Sequence, residues 1–391
     1  PRTSSAASDV YKRQIFGSIR SRLINSINFH LIMFLKELSL SNYKNFDNVK
    51  FSFDTKIVCF VGLNGVGKTN ILDSIYHLSY TKSYFNPIPS QNIRHGETFF
   101  FISGVYEINE KEENILISLK KGDKKRVKRN NKVYKKFSDH MGFIPLVIIS
   151  PDDRNLIIEG SETRRKFIDG IISQTNKEYL NKLIEYNKTL KQRNALLKMF
   201  YENKENIKKT IDIYDNLLSV NATVIHNKRD EFLKEFIPIF KQRYMQLSNE
   251  KESVEIGYKS DIDEKINLYS LLKKNIDKDI RYQYTTNGIH KDDITFTINN
   301  HSVKKFGSQG QQKTFLIALK LAQFDYLSKL KSNPILLLDD IFDKLDDERV
   351  EKIIDLVNED SFKQIFISDT NKSRSEEIIK KVNKSYKIFE I

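Results

Sequence analysis

A single cysteine, Cys59, in 391 residues leaves no disulfide framework, no four-cysteine zinc site and no Cys-x-x-Cys pair. No run of about 18 uncharged apolar residues occurs, so no membrane-spanning helix is expected. Acidic residues are the minority charge. The 51 Asp plus Glu against 65 Lys plus Arg leave a net charge of +14, which excludes an acidic, solvating, disordered chain and makes a polyanion the partner to look for. Apolar residues make up 39% of the chain, ample for a sizeable core, and the length suggests two or three domains. A cytoplasmic protein with reduced thiols is expected.

Organisation follows from where the pattern changes. Residues 1–32 are Ser/Ala-rich and aperiodic, then broken by Arg20, Arg22, Asn25 and Asn28. They read as a leader outside the fold, disordered or artefactual, with Met33 as the expected start. From there Leu35–Leu40, Val49–Phe53 and Ile57–Val61 read as strands, the last apolar throughout and so buried on both faces. A helix is expected over Asn70–Ser79, strands over Phe99–Leu119, and another buried strand at Pro145–Ser150. Before that strand, Lys121–Lys136 sets nine Lys or Arg against one acid, Asp123.

Glycine then nearly disappears, with only Gly170 and Gly257 across residues 162–279. Long polar helices fit this stretch. Leu183, Leu190 and Leu197 recur every seven residues and Leu180 precedes them, while the alternate seam positions are the polar Asn187 and Asn194. That pattern fits a weak coiled coil or a helix laid on its neighbours. Folded back on itself, the stretch would make an arm of at most about 90 Å. Strands and Gly-rich turns return at Thr285. The expected fold is α/β: a head built on a mixed sheet flanked by helices, in two halves (33–160 and 285–391) split by an inserted helical lobe (161–284).

Three segments carry chemistry. Gly62-Leu63-Asn64-Gly65-Val66-Gly67-Lys68-Thr69 fits G-x-x-x-x-G-K-[ST] between a buried strand and a helix. Its glycines let backbone N–H groups curl around phosphate oxygens at the positive end of the following helix. Lys68 would bring a mobile charge to those phosphates and Thr69 a hydroxyl to Mg²⁺. A Gly-rich turn without a ligand is the bland alternative. In Pro334-Ile-Leu-Leu-Leu-Asp339-Asp340 the apolar run delivers Asp339 to the C-terminal end of a buried strand, where parallel sheets bind ligands and Mg²⁺ takes a carboxylate. Asp340 would orient or deprotonate the attacking water; the alternative is an ordinary strand end. Thr69 and Asp339 are 270 residues apart, a separation that an inserted lobe explains.

The third segment, Phe306-Gly307-Ser308-Gln309-Gly310-Gln311-Gln312, precedes a strong helix, Thr314–Tyr326. A Ser-x-Gly-Gln turn there is a phosphate-binding helix end with no lysine of its own, or else a plain cap with Gln-rich flanks. The Lys68 loop already covers the γ-phosphate of its own subunit. Ser308 and Gly310 are therefore read as completing the site of a second subunit, the ABC-type scheme of two nucleotides between two heads.

In this order the segments resemble the RecF family of DNA replication and repair proteins over 33–391. The resemblance rests on Leu40–Phe46, Gly62–Leu78, Ser150-Pro-Asp-Asp153, Gly160 with Arg164-Arg165 and Phe167-Ile-Asp169, Gly288–Asp293, Phe306–Thr314, and Leu336–Asp340 followed by Leu345, Asp346 and Arg349. It implies an ABC-type P-loop ATPase head related to SMC heads, with a short helical lobe and no long coiled coil. It further implies slow, DNA-stimulated hydrolysis of ATP with Mg²⁺, and an ATP-dependent homodimer on gapped or single-strand/double-strand junction DNA. Action with RecO and RecR in loading RecA onto gaps coated by single-strand-binding protein is part of the same implication. Carried over position by position, the Gly62–Thr69 loop and Lys44, where the family prefers Arg, contact nucleotide. Asp339 holds Mg²⁺ with Thr69, Asp340 orients water, Ser308, Gly310 and Gln311 are contacted in trans, and Asp346 is the dimer-interface acid. Lys68, Asp339, Asp340 and Ser308 form the implied catalytic set. The chain departs from the family pattern at Ile289 and Lys291, in place of Pro and Arg, and at Asp369 in the switch segment Phe366–Thr370, where the family is Thr-rich, so which residue serves as the switch is left open. Lys44 also lacks the bidentate geometry of an arginine.

Elsewhere the Lys121–Lys136 run fits either a phosphate-backbone contact or a solvated hairpin. His290 with Asp292 and Asp293 reads as a turn near the nucleotide rather than a metal cluster, and Cys59 as a small buried hydrophobe. Arg164 and Arg165 either pair with acids at the lobe or reach DNA. Other ATPase classes fit less well. A transporter ATP subunit would carry a compact helical subdomain, and an SMC-type chromosome ATPase needs hundreds of coiled-coil residues. A nuclease fusion needs more than the 51 residues that follow Asp340.

Overall fold

A computed structural model describes residues 33–200, 204–248, 252–263, 266–330, 333–340, 352, 361–382 and 385–391; the leader and Asp346 lie outside the described residues. The first half runs β1 (Met33–Tyr43), β2 (Phe46–Ser52), β3 (Ile57–Val61), α1 (Lys68–Tyr80), β4 (Phe99–Ile108), β5 (Lys111–Lys120), β6 (Arg126–Arg129), β7 (Lys132–Val133) and β8 (Leu146–Ile149). Helices α2 (Ser161–Thr175), α3 (Lys177–Lys198) and α4 (Lys204–Ser248) follow, then β9 (Val254–Lys259), β10 (Asp293–Ile298) and β11 (His301–Ser302). The chain closes with α5 (Gln309–Leu330), β12 (Ile335–Asp339), β13 (Ile365–Asp369), α6 (Lys372–Val382) and β14 (Tyr386–Glu390).

Parallel and antiparallel strands segregate into separate sheets. The parallel sheet has the order β14-β3-β13-β12-β8, and the antiparallel sheet the order β2-β1-β4-β5-β6-β7. Strands β3, β12 and β13 are buried at every position, as expected of a sheet covered on both faces. Their side chains alternate between two cores. Val58 and Phe60 pack with Ile71, Ile75 and Leu78 of α1 and with Leu35 and Ile102 of the antiparallel sheet. Ile57, Cys59 and Val61 face the other way, into a core shared with Phe315 of α5 and Phe240 of α4. Helix α1 is thus clamped between two sheets, so the loop at its N-terminus has a rigid support. Removing one such side chain, Leu72→Ala, would cost about 2–5 kcal/mol.

The lobe departs from its sequence pattern in two ways. First, β9 lies inside the stretch expected to be helical and pairs antiparallel with β10, Ile256 opposite Phe296. Val254, Ile256 and Tyr258 alternate with period two, a signal too short to stand out among long polar helices. Second, Leu180 and Leu197 of the leucine series are buried but Leu183 and Leu190 only partly so, and the fully buried residues of α3 that recur every seven are Tyr179, Tyr186 and Arg193. A hydropathy pattern overlooks this seam because its members are polar at the tip and need partners. Tyr186 hydroxyl lies 2.8 Å from His290 Nδ1. Arg193 donates to Asp215 at 2.6 Å and Asp279 at 2.7 Å. On α4, the buried Arg229 binds Asp169 at 3.0 Å and Asp292 at 2.8 Å. These pairs fix where α3, α4 and the Thr285–Asp293 loop sit, since a buried charge left alone is strongly destabilising. Helix α4 has 45 residues, so its axis is about 68 Å long. Among the described residues no helix is long and apolar enough to cross a membrane.

Candidate nucleotide site

Strand β13 stands between β3 and β12, with Asp369 beside Val61 and Ser368 beside Asp339. The register brings three strand ends together: the Gly62 loop leaving β3, the acid pair leaving β12, and Ser368 on β13. Thr69 Oγ1 donates to Asp339 Oδ1 at 2.8 Å, closing the 270-residue separation. Ser368 Oγ donates to the same oxygen at 2.7 Å, and Asp340 N donates to Ser368 Oγ at 3.1 Å. Burial pushes the Asp339 carboxyl above the usual carboxylate range, opposed by the hydrogen bonds from Ser368 and Thr69.

The loop is held open by its backbone. Gly67 sits at φ 113°, and a Cβ there would lie 2.4 Å from the Asn45 side chain, so no other residue fits. Asn45 occupies the two-residue turn between β1 and β2. It donates to Val66 O at 2.7 Å and accepts from Asn70 at 2.8 Å, tying the turn to both sides of the loop. The first turn of α1 contains no acid, leaving its positive end uncompensated by the chain. Lys68 is buried and donates to Gly62 O at 2.8 Å and Leu63 O at 2.9 Å, which holds its charge over the loop. Leu63, Asn64 and Gly65 are exposed.

Lys44 is placed differently from a free nucleotide contact. Its Nζ lies 2.6 Å from Asp73 on α1, a buried carboxylate that also accepts from Tyr43 hydroxyl at 2.8 Å and Ser83 at 2.6 Å. In this structure Lys44 therefore braces α1 beside the loop.

Ser308 and Gln311 cap α5 reciprocally. Gln311 N donates to Ser308 Oγ at 3.2 Å, and Ser308 N donates to Gln311 Oε1 at 2.8 Å. Gln311 Nε2 also donates to Glu252 at 2.5 Å, fixing the turn to the chain just before β9. Gly310 O accepts from Thr314 at 3.0 Å, and Ser308 is exposed. A cleft of about 430 Å³ separates this helix end from the acid pair, with Gln309 and Lys313 on one wall, Asp339 and Asp340 on another, and Asp152 and Arg154 on a third.

Two residues in the site were not singled out from sequence, Ser368 and Asn45. The signal for Asn45 is its place next to Lys44 in a tight turn; Ser368 lies in the Phe366–Thr370 segment, but only strand register shows that it binds Asp339. Asp369, in the segment that departs from the family pattern, is wholly buried and accepts from Thr370 N at 2.7 Å and from Ser375 hydroxyl, so its carboxylate is spent at the start of α6. Arg164 on α2 pairs with Asp293 at the start of β10 at 2.9 Å, and Arg165 donates to Ser161 at 2.7 Å within α2. His290 is bracketed by Tyr186 and by Thr285 O at 3.0 Å, and burial lowers its pKa to about 4. Among the described residues no group of His, Cys, Asp and Glu has a metal-holding arrangement. The basic run folds as the β6–β7 hairpin, in which Arg129 is committed to Glu113 at 2.6 Å.

Comparison with known proteins agrees with this geometry. The family described as RecF/RecN/SMC N terminal domain matches residues 34–390. A DNA replication and repair protein RecF from Flavobacterium johnsoniae is 57% identical over 360 residues, covering 92% of this chain and 100% of its own. Two solved structures of the recombination mediator protein RecF in the RecFOR pathway are also similar. The one described as RecF-ATPrS has a TM-score of 0.83 at 30% identity, covering 93% of this chain and 97% of that one. The one described as RecF-ATP has a TM-score of 0.82 at 31% identity, covering 89% and 94%. The chain belongs to the RecF family of DNA replication and repair proteins, and its fold is the ABC-type P-loop head that this family shares with SMC proteins.

Proposed function

We propose that the chain binds ATP on the Gly62–Thr69 loop and hydrolyses it in a site shared between two copies. The observation that carries this reading is the 2.8 Å hydrogen bond from Thr69 to Asp339, which joins a phosphate-binding loop to a strand-end acid across 270 residues. Lys68, already held over the loop, is preorganised for the β- and γ-phosphates. The Thr69 hydroxyl and the Asp339 carboxylate are hard oxygen donors brought side by side, a donor set that fits Mg²⁺, which when bound would offset charge developing on the phosphates. Asp340 is the group placed to orient the attacking water. Lys44 steadies α1 and is a weaker candidate for direct nucleotide contact.

Ser308, Gly310 and Gln311 are the part given to the partner copy, with Asp346 as the further interface acid. Exposure supports that division. The two most exposed large hydrophobic side chains among the described residues are Leu63 (79%), in the nucleotide loop, and Phe306 (70%), two residues before Ser308. Both would be covered if the loop of one copy met the α5 turn of the other. The net charge of +14 and the DNA replication and repair relatives support DNA as the polyanion; gapped or junction DNA, and slow turnover that DNA stimulates, are proposed on the family resemblance alone. The RecFOR relatives support partners of the RecO and RecR kind; a role in loading RecA and a cytoplasmic setting are proposed on the family resemblance alone.

Equilibrium binding of a fluorescent ATP analogue to the wild type and to Lys68→Ala tests the nucleotide part. Binding lost in Lys68→Ala with an unchanged thermal unfolding midpoint supports the reading; equal affinity for both proteins contradicts it.

A further inference from the structure

We infer that Ser368 is a positioning residue for the hydrolytic step, setting Asp339 and Asp340 in fixed relation through one hydroxyl. The inference rests on the roles proposed for those two acids. Register places Ser368 directly beside Asp339 on adjacent parallel strands, and Ser368 is wholly buried. Its Oγ is 2.7 Å from Asp339 Oδ1 and 3.1 Å from Asp340 N. A backbone N–H can only donate, so Ser368 accepts from Asp340 and its own proton goes to Asp339. The hydroxyl is thereby fixed in direction, and each acid is held by it at a different point, one at the carboxylate and one at the backbone.

Asp340 needs such a restraint. Its backbone is left-handed at φ 45°, a conformation that costs a non-glycine residue free energy and persists only where its surroundings enforce it. The bond to Ser368 is one of the contacts that enforce it, and it determines where the Asp340 side chain leaves the strand end. Asp339 Oδ1 has a second hydrogen bond, from Thr69 at 2.8 Å. Should the Thr69 hydroxyl be taken up by a cation, Ser368 is the bond that keeps the carboxylate aligned. Replacing a hydroxyl that orients a ligand in this way commonly costs about 10–100-fold in activity or metal affinity. A hydroxyl that only fills space would not act so selectively.

The test compares the full-length wild type with Ser368→Ala and Ser368→Thr. Measured for each are the thermal midpoint, ATP affinity without metal, the Mg²⁺ concentration giving half-maximal hydrolysis, and kcat and KM. Ser368→Ala should lose only the few degrees in midpoint expected for one buried hydrogen-bonding group, keep its metal-free affinity within about twofold, lose about 10–100-fold in kcat and require more Mg²⁺, while Ser368→Thr regains most of the loss. Turnover by Ser368→Ala within about twofold of wild type would overturn the inference. So would a fall in midpoint and metal-free affinity that parallels the fall in kcat, or a folded Ser368→Thr no better than Ala. Asp340→Asn serves as the control for the underlying reading. If it turns over normally, the acid assignment fails and this inference with it; if it is inactive while Ser368→Ala is not, only the inference fails.

Discussion

Lys320 on α5 meets Asp153 at 2.6 Å with both side chains buried. Asp153 also accepts from Ser150 N at 2.8 Å and from the Tyr84 hydroxyl, and Tyr84 N in turn donates to Asp73 on α1 at 2.6 Å. The helix that starts at the Ser308 turn and the helix that starts at the nucleotide loop are therefore joined by an unbroken run of polar contacts through the Ser150–Asp153 motif. Lys320→Met would leave the Asp153 carboxylate buried without its cation. Denaturant unfolding should show a loss of about 3–5 kcal/mol. A loss below about 1 kcal/mol would mean that the pair is not the link described.

Asp340→Asn keeps the shape of the side chain and removes its basicity. ATP binding should persist while hydrolysis falls by about 10²–10⁴-fold, and the ATP-bound assembly should accumulate. Single-turnover hydrolysis alongside nucleotide binding separates the two effects. A variant that binds poorly would place Asp340 in binding instead of chemistry.

Acid should destabilise the fold through histidines held away from water, His77 and His140 buried and His290 half-buried. Burial lowers the pKa of His77 to about 3 and those of His140 and His290 to about 4, below the ordinary value of 6.5. The unfolded chain then takes up protons that the native state refuses, so the contribution of each histidine is complete above about pH 6.5 and is lost as pH falls toward 4. At pH 5 the loss is roughly 2 kcal/mol per histidine. Thermal midpoints measured from pH 7.5 to 5 should fall, and His140→Asn should flatten the slope. An unchanged midpoint over that range would contradict the burial of these rings.

The basic hairpin offers an electrostatic prediction. Lys125 donates to Thr81 O, and Arg129 is paired with Glu113, so both are committed within the fold. Lys132, Lys135 and Lys136 are exposed at the sheet edge. Reversing these three to Glu should weaken DNA binding and lower the slope of log affinity against log salt by about one for each phosphate no longer neutralised, with ATP affinity unchanged. Fluorescence anisotropy at several salt concentrations reads both quantities. Unaltered DNA affinity would leave the hairpin as a solvated edge whose lysines discourage strand pairing.

Much of the site was legible because its chemistry is local. The Gly62–Thr69 spacing, the apolar run into Asp339 and the Ser308 turn each sit on consecutive residues, and the structure gives each the expected strand-end or helix-start setting. What stayed hidden depends on distant partners. Ser368 matters only because β13 lies beside β12, and Asn45 only because a hairpin turn folds under the loop. The Tyr179–Tyr186–Arg193 seam was overlooked for the same reason, since its burial is tolerable only with His290, Asp215 and Asp279 supplied from elsewhere. Arg164 could not be assigned from sequence; Asp293, 129 residues away, decides it.

Light scattering after size-exclusion chromatography, with and without ATP and gapped DNA, tests the shared site most directly. The wild type should move from monomer to dimer with ATP. Ser308→Arg, which blocks the α5 turn and removes its cap, should bind ATP with unchanged affinity yet remain monomeric and hydrolyse slowly. A Ser308→Arg protein that dimerises and turns over like the wild type, or a wild type that hydrolyses at full rate as a monomer, would contradict the account.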